Sequence, residues 1–146
     1  MELTFTGRGA MLYPSEGNTA AYFEEGNNLF LFDCGEDVAA KLIKAGKLTK
    51  DTEVYLFITH THSNHVGSIG TLQQYLYWVC GKKLNIVYDV NREYSINIKG
   101  VLKNFGLLPE TYNMILEESW IINLILLIKY VMSKVVMVIF LLVLLQ

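Results

Sequence analysis

The sequence is poor in cysteine, in histidine and in excess positive charge. Only Cys34 and Cys80 occur in 146 residues, with no Cys-x-x-Cys pair. That excludes a disulfide-rich scaffold and fits a reducing cytoplasm. Twelve Lys and Arg against fourteen Asp and Glu give a net charge of -2, so no broad cationic surface is available to follow a phosphate backbone. A local site acting on a nucleotide stays open. The opening MELTFTGRGA lacks a basic stretch followed by an apolar one and does not read as a signal peptide. The length allows one core and is short for two domains.

Other absences are local. No acid follows Glu118, no Asp follows Asp89 and no histidine follows His65. From Ser119 to Gln146, 22 of 28 residues are apolar, whereas the preceding 118 alternate between strand and helix patterns. The expected organisation is therefore a domain over 1–118 and an apolar tail over 119–146.

Within the domain, Glu2 to Thr6 alternates polar and apolar residues. Thr19 to Phe23 and Asn28 to Phe32 flank the turn-forming Glu24-Glu25-Gly26-Asn27, giving a three-strand start. Glu36 to Ala45 places Val38, Ala39, Leu42 and Ile43 at helical spacing before Gly46. Val54 to Ile58 is a continuous apolar run of the kind that forms a buried strand. Gly67 to Val79 reads as a helix with Ile69, Leu72, Leu76 and Val79 on one face. Leu84 to Val90 reads as a strand, and Ile96 to Phe105 as a helix stopped by Gly106.

All three histidines fall within six consecutive positions, His60, His62 and His65, directly after the expected buried strand. A lone histidine is more often a plain core or surface residue. Three at a strand end can aim imidazoles into one volume, and neutral imidazole binds zinc at about 2.0–2.1 Å.

These residues, read as His60-Thr61-His62-Ser63-Asn64-His65, resemble the His-x-His-x-Asp-His motif of the metallo-β-lactamase superfamily. MELTFTGRGA, Gly17-Asn18-Thr19 and the strand end LFDCG are similar to the start of its ribonuclease Z-like and cyclic-nucleotide phosphodiesterase branches. The similarity covers about residues 1 to 116. It implies an α/β fold, the N-terminal half of a four-layer αββα sandwich, with two metals at one sheet edge. His60 and His62 would hold the first ion, and Asn64 and His65 the second. Asp33 would orient the histidine loop from behind; without the resemblance, Asp33 reads as a helix N-cap. The implied cofactor is zinc, one or two ions, which would polarise a phosphoryl oxygen and lower the pKa of water from 15.7 toward about 7.

Two departures bear on catalysis. Asn64 occupies the catalytic Asp position of the motif, replacing an anionic ligand with a neutral carbonyl and a donating NH2. The downstream histidines and bridging Asp of the superfamily have no counterpart here; after His65 the acids are Asp89, Glu93, Glu110, Glu117 and Glu118, and nothing in the spacing of the last three resembles those motifs. The expectation is therefore a zinc-dependent hydrolase of phosphodiesters in nucleotides or RNA, cytoplasmic, with a second copy of the chain as a candidate partner, impaired by Asn64 and the missing ligands. The alternative is a non-catalytic, truncated or frameshifted remnant retaining partial metal binding.

The tail has three open readings: an out-of-frame coding region, a segment packed on the sheet, or a membrane anchor over 126–145. Lys134 near the middle of that stretch costs an anchor about 2.5–3.5 kcal/mol. Elsewhere, Tyr75, Tyr77 and Trp78 read as helix core or a lid, with base stacking a further option. Lys82-Lys83 reads as a solvated turn, and Arg8 between Gly7 and Gly9 as a residue near the expected site edge. Cys34 reads as a small buried residue and Gly35 as a turn position.

Overall fold

The structure is a computed structural model that describes residues 2–10, 12–88 and 97–116. Met1–Leu116 forms one compact unit; the tail, and with it every reading of 119–146, lies outside the described residues. Six strands form one sheet in sequential order. β1 (Thr4–Gly7), β2 (Ala20–Glu25) and β3 (Asn28–Phe32) form an antiparallel meander, and β4 (Glu53–Phe57), β5 (Leu84–Tyr88) and β6 (Tyr112–Leu116) continue it in parallel with β3.

The crossovers carry helices: α1 (Val38–Lys44), the single turn α2 (Ser63–Val66), α3 (Ile69–Tyr75) and α4 (Ile98–Asn104). Period two in the strands divides the sheet into two faces. Tyr22, Leu31, Leu56 and Ile86 are register neighbours and share a core with Val38, Leu42, Ile69, Leu72, Leu76, Ile98 and Leu102 of the helices. Each fully buried Leu or Ile there contributes about 1.5–3 kcal/mol. The opposite face carries an aromatic ladder across β2, β3 and β4. Phe23 stacks on Phe30 at 4.7 Å, Phe30 on Tyr55 at 5.3 Å and Phe32 on Phe57 at 5.1 Å between ring centroids. The described part thus consists of one six-stranded sheet with a layer of helices on one face.

Several elements differ from expectation. The helix expected over Gly67 to Val79 starts at Ile69 and passes into a π-turn at Leu76–Cys80. The wider turn rotates the following residues, so Cys80 rather than Val79 succeeds Leu76 on the buried face, and Val79 is 57% exposed. β6 was not expected, because Tyr112-Asn113-Met114-Ile115-Leu116 shows no clean alternation; its parallel pairing with β5 fixes it as a strand. Among the described residues, no helix is long and apolar enough to cross a membrane.

Candidate metal centre

β3 and β4 run side by side with Phe32 opposite Phe57, so the residues leaving their C-terminal ends emerge together. In open α/β sheets that edge is where ligands bind. Asp33 donates its backbone N–H to the Phe57 carbonyl at 2.9 Å and then turns with φ at 63°. Aspartate tolerates this left-handed region better than most residues. The turn swings its carboxylate over β4, where Oδ1 accepts the Thr59 backbone N–H at 2.7 Å and Oδ2 accepts the Thr59 hydroxyl at 2.7 Å. Oδ2 also lies 2.8 Å from His65 Nδ1. The N-cap reading of Asp33 is corrected: Asp37 precedes α1, and its Oδ1 accepts the Asn18 backbone N–H at 3.2 Å.

α2 brings His65 back toward the strand ends. The His62 carbonyl accepts the N–H groups of His65 at 2.9 Å and Val66 at 3.1 Å. Cys34 N–H in turn donates to the His65 carbonyl at 2.7 Å, and Ser68 N–H to the Cys34 carbonyl at 3.1 Å. The loop after β3 and the loop after β4 are stitched together by main chain. Gly35 is required for close approach rather than for a turn: a Cβ there would collide with the Asn64 backbone oxygen and with Asn18. Asn18, of the Gly17-Asn18-Thr19 segment, accepts the Asp37 N–H on its Oδ1 at 3.3 Å, clasping the β1–β2 loop to the start of α1.

The three imidazoles gather at this edge. His60 and His62 rings meet edge to face at 4.6 Å between centroids, and His60 and His65 at 3.9 Å. His60 Nε2 lies 3.1 Å from His62 Nδ1. Two nitrogens bound tetrahedrally to one zinc ion would be separated by about 3.3 Å, so this pair has the spacing of a shared cation. His65 presents Nδ1 to a carboxylate, the arrangement that orients a metal-binding imidazole and leaves Nε2 as its ligand atom. Asn64 is buried, and its Oδ1 has no hydrogen-bond partner, a condition that costs about 1–3 kcal/mol unless something else satisfies it. These donors fit zinc as an incomplete ligand set. Among the described residues, no three His, Cys, Asp or Glu side chains are grouped to hold one ion by themselves.

The remaining expectations resolve individually. Glu110 is exposed on the 3-10 turn Pro109–Thr111, and Glu117 and Glu118 lie outside the described residues. Arg8 leaves β1 at the same sheet edge and pairs with Glu16 at 2.8 Å. Trp78 is exposed and packs edge to face on Tyr77. Cys34 is buried as expected, and burial pushes its thiol up to about 12 against the opposing pull of the Ser68 hydroxyl. Thr59 was missed at the sequence level, since a threonine beside a histidine carries no signal until Asp33 is placed against it.

Comparison with known proteins places this architecture. The human tRNase Z short form superposes with a TM-score of 0.56 at 26% identity, covering 81% of this chain and 45% of that one. The metallo-β-lactamase fold protein YhfI of Bacillus subtilis superposes with a TM-score of 0.60 at 21% identity, over 80% and 45% of the two chains. In sequence, human zinc phosphodiesterase ELAC protein 1 is 41% identical over 71 residues, 44% of this chain and 18% of that protein. Ribonuclease Z of Staphylococcus carnosus is 38% identical over 74 residues, 45% and 22%. The chain therefore matches about a fifth of the length of these curated relatives. Fold and sequence similarity together mark a ribonuclease Z-like chain of the metallo-β-lactamase superfamily. More narrowly, residues 1–104 match the family described as anti-Pycsar protein Apyc1, and the chain belongs to that family.

Proposed function

We infer that this chain is a zinc-binding phosphodiester hydrolase scaffold acting on a nucleotide or RNA. One observation carries the reading: the Asp33 carboxylate holds Thr59 and His65 while His60 Nε2 and His62 Nδ1 face each other at 3.1 Å. His60 and His62 would hold one ion; His65 and the Asn64 carbonyl would contribute to a second, weaker site. Bound zinc supplies Lewis acidity toward a phosphoryl oxygen and acidifies water to a pKa of about 7. The chain's own contribution is orientation. Asp33 fixes His65 and Thr59 from behind, and the main-chain stitches from Cys34 to His65 and Ser68 hold the loop against the sheet edge. Two buried free thiols go with a reducing, cytoplasmic setting, and a second copy of this chain is the partner that could bring further ligands.

A second reading is favoured by Asn64. A neutral amide in place of a carboxylate lowers the charge beside a dication by one unit, which points to a metal-binding protein without turnover. Zinc stoichiometry on the full chain, followed by hydrolysis of bis-p-nitrophenyl phosphate, separates the two. Zinc bound with turnover that His62→Ala abolishes supports the hydrolase; zinc bound without turnover supports the second reading. A chain that takes up no zinc refutes both.

A further inference from the structure

We propose that Thr59 is a positioning residue that sets the proton of the His60 ring, passing the polarity of the Asp33 carboxylate to that imidazole through its hydroxyl. The proposal rests on the metal-binding reading of His60, but its first readout does not need metal. A threonine hydroxyl has one proton and two lone pairs. Here that proton goes to Asp33 Oδ2 at 2.7 Å, because an ionised carboxylate can only accept. With its proton committed, Thr59 Oγ1 can only accept, from its next neighbour His60 Nδ1 at 3.1 Å and at longer range from His65 Nδ1 at 3.4 Å.

His60 must therefore carry its hydrogen on Nδ1 and keep its lone pair on Nε2, the atom that lies 3.1 Å from His62 Nδ1. His65 receives the same instruction directly, since its Nδ1 donates to Asp33 Oδ2 at 2.8 Å. One buried carboxylate thus orders two imidazoles, one by contact and one through a hydroxyl. Both end with Nε2 as the ligand nitrogen. The Thr59 backbone N–H on Asp33 Oδ1 at 2.7 Å holds the relay in place, and the branched Cβ limits χ1 so that the hydroxyl stays on line.

The test uses three full-length proteins: wild type, Thr59→Val, which keeps the shape and removes the hydroxyl, and Thr59→Ser, which restores it. Two-bond 1H–15N spectra of the metal-free proteins at about pH 8, where unperturbed imidazole is neutral, report which ring nitrogen bears hydrogen. The expected result is Nδ1–H on His60 in wild type and Thr59→Ser, with a shift toward Nε2–H in Thr59→Val, while His65 keeps Nδ1–H in all three. Zinc affinity measured by competition should fall about 10- to 100-fold in Thr59→Val and recover in Thr59→Ser. Wild-type His60 bearing hydrogen on Nε2 overturns the proposal, even if Thr59→Val does not fold. So does a folded Thr59→Val that keeps the wild-type tautomer. If wild type binds no zinc, the metal reading fails, and the spectra alone decide the role of Thr59.

Discussion

Asp33 Oδ2 lies 2.8 Å from His65 Nδ1, joining the end of β3 to the turn α2 across 32 residues of sequence. The same oxygen accepts the Thr59 hydroxyl, and its twin accepts the Thr59 N–H. All three donors depend on a group that only accepts. Asp33→Asn keeps the size and the tolerance for a positive φ, so backbone strain is not the variable. It places an NH2 against at least one existing donor and removes the charge. The expected outcome is a loss of about 1–3 kcal/mol in urea unfolding together with a 10- to 100-fold weaker zinc affinity by competition titration. Unchanged zinc affinity would remove Asp33 from the proposed metal site.

Asn64 is buried and its Oδ1 lacks a hydrogen-bond partner, so Asn64→Asp should behave oppositely with and without metal. Without zinc, the new carboxylate is a buried, uncompensated charge and costs about 2 kcal/mol or more. With zinc, it becomes an anionic ligand, and the thermal upshift on adding the ion should exceed that of wild type. Hydrolysis of bis-p-nitrophenyl phosphate is not expected to rise substantially, because the described residues offer no further ligand group. Scanning calorimetry of both proteins, with and without zinc, checks the stability arms. A large gain in turnover from this single change would mean that further ligands reach the site.

How far the site could be read from sequence depended on the range of each interaction. The strand Asn28–Phe32 and the histidine positions were plain from local patterning, since period two and a cluster of three rare residues are short-range signals. The role of Asp33 came through the resemblance of LFDCG, while its local pattern suggested a cap. Thr59 was invisible because its hydroxyl acquires meaning only from Asp33, 26 residues earlier. Val79 was misplaced because helical spacing was extended through Leu76–Cys80, where the turn widens. β6 was missed because a parallel edge strand is defined by its neighbour β5 rather than by alternation of its own residues.

Gly35 and Gly26 give a controlled comparison. Gly35 sits where a Cβ would strike the Asn64 backbone and Asn18, whereas Gly26 turns at φ 59° with nothing within 4 Å of its added Cβ. Gly35→Ala should cost about 1–3 kcal/mol by overpacking and weaken zinc binding, since Asn64 must move. Gly26→Ala should cost about 1–2 kcal/mol through its backbone angle and leave zinc affinity alone. Denaturant midpoints and zinc titrations on the two variants measure both effects. Equal losses of zinc affinity would show that general destabilisation, not the Gly35–Asn64 contact, governs the site.

Cys34 beside Asp33 tests the packing behind the histidine cluster. It is fully buried, its Sγ lies 3.3 Å from Ser68 Oγ, and burial raises its thiol from 9.0 to about 12. At about pH 8 the thiolate fraction in the folded protein is then about one in ten thousand, so Ellman's reagent should leave Cys34 unmodified until denaturant is added. The sign of the pH dependence follows from the same shift. Because the folded pKa exceeds the unfolded one, Cys34 contributes its full stabilisation below about pH 9, and that contribution declines as pH rises through 9.0 toward about 12. Urea midpoints between about pH 8 and 11 should fall more steeply for wild type than for Cys34→Ala, which has no thiol to ionise. Parallel slopes for the two proteins, or rapid native-state labelling of Cys34, would show that solvent reaches the loop behind Asp33.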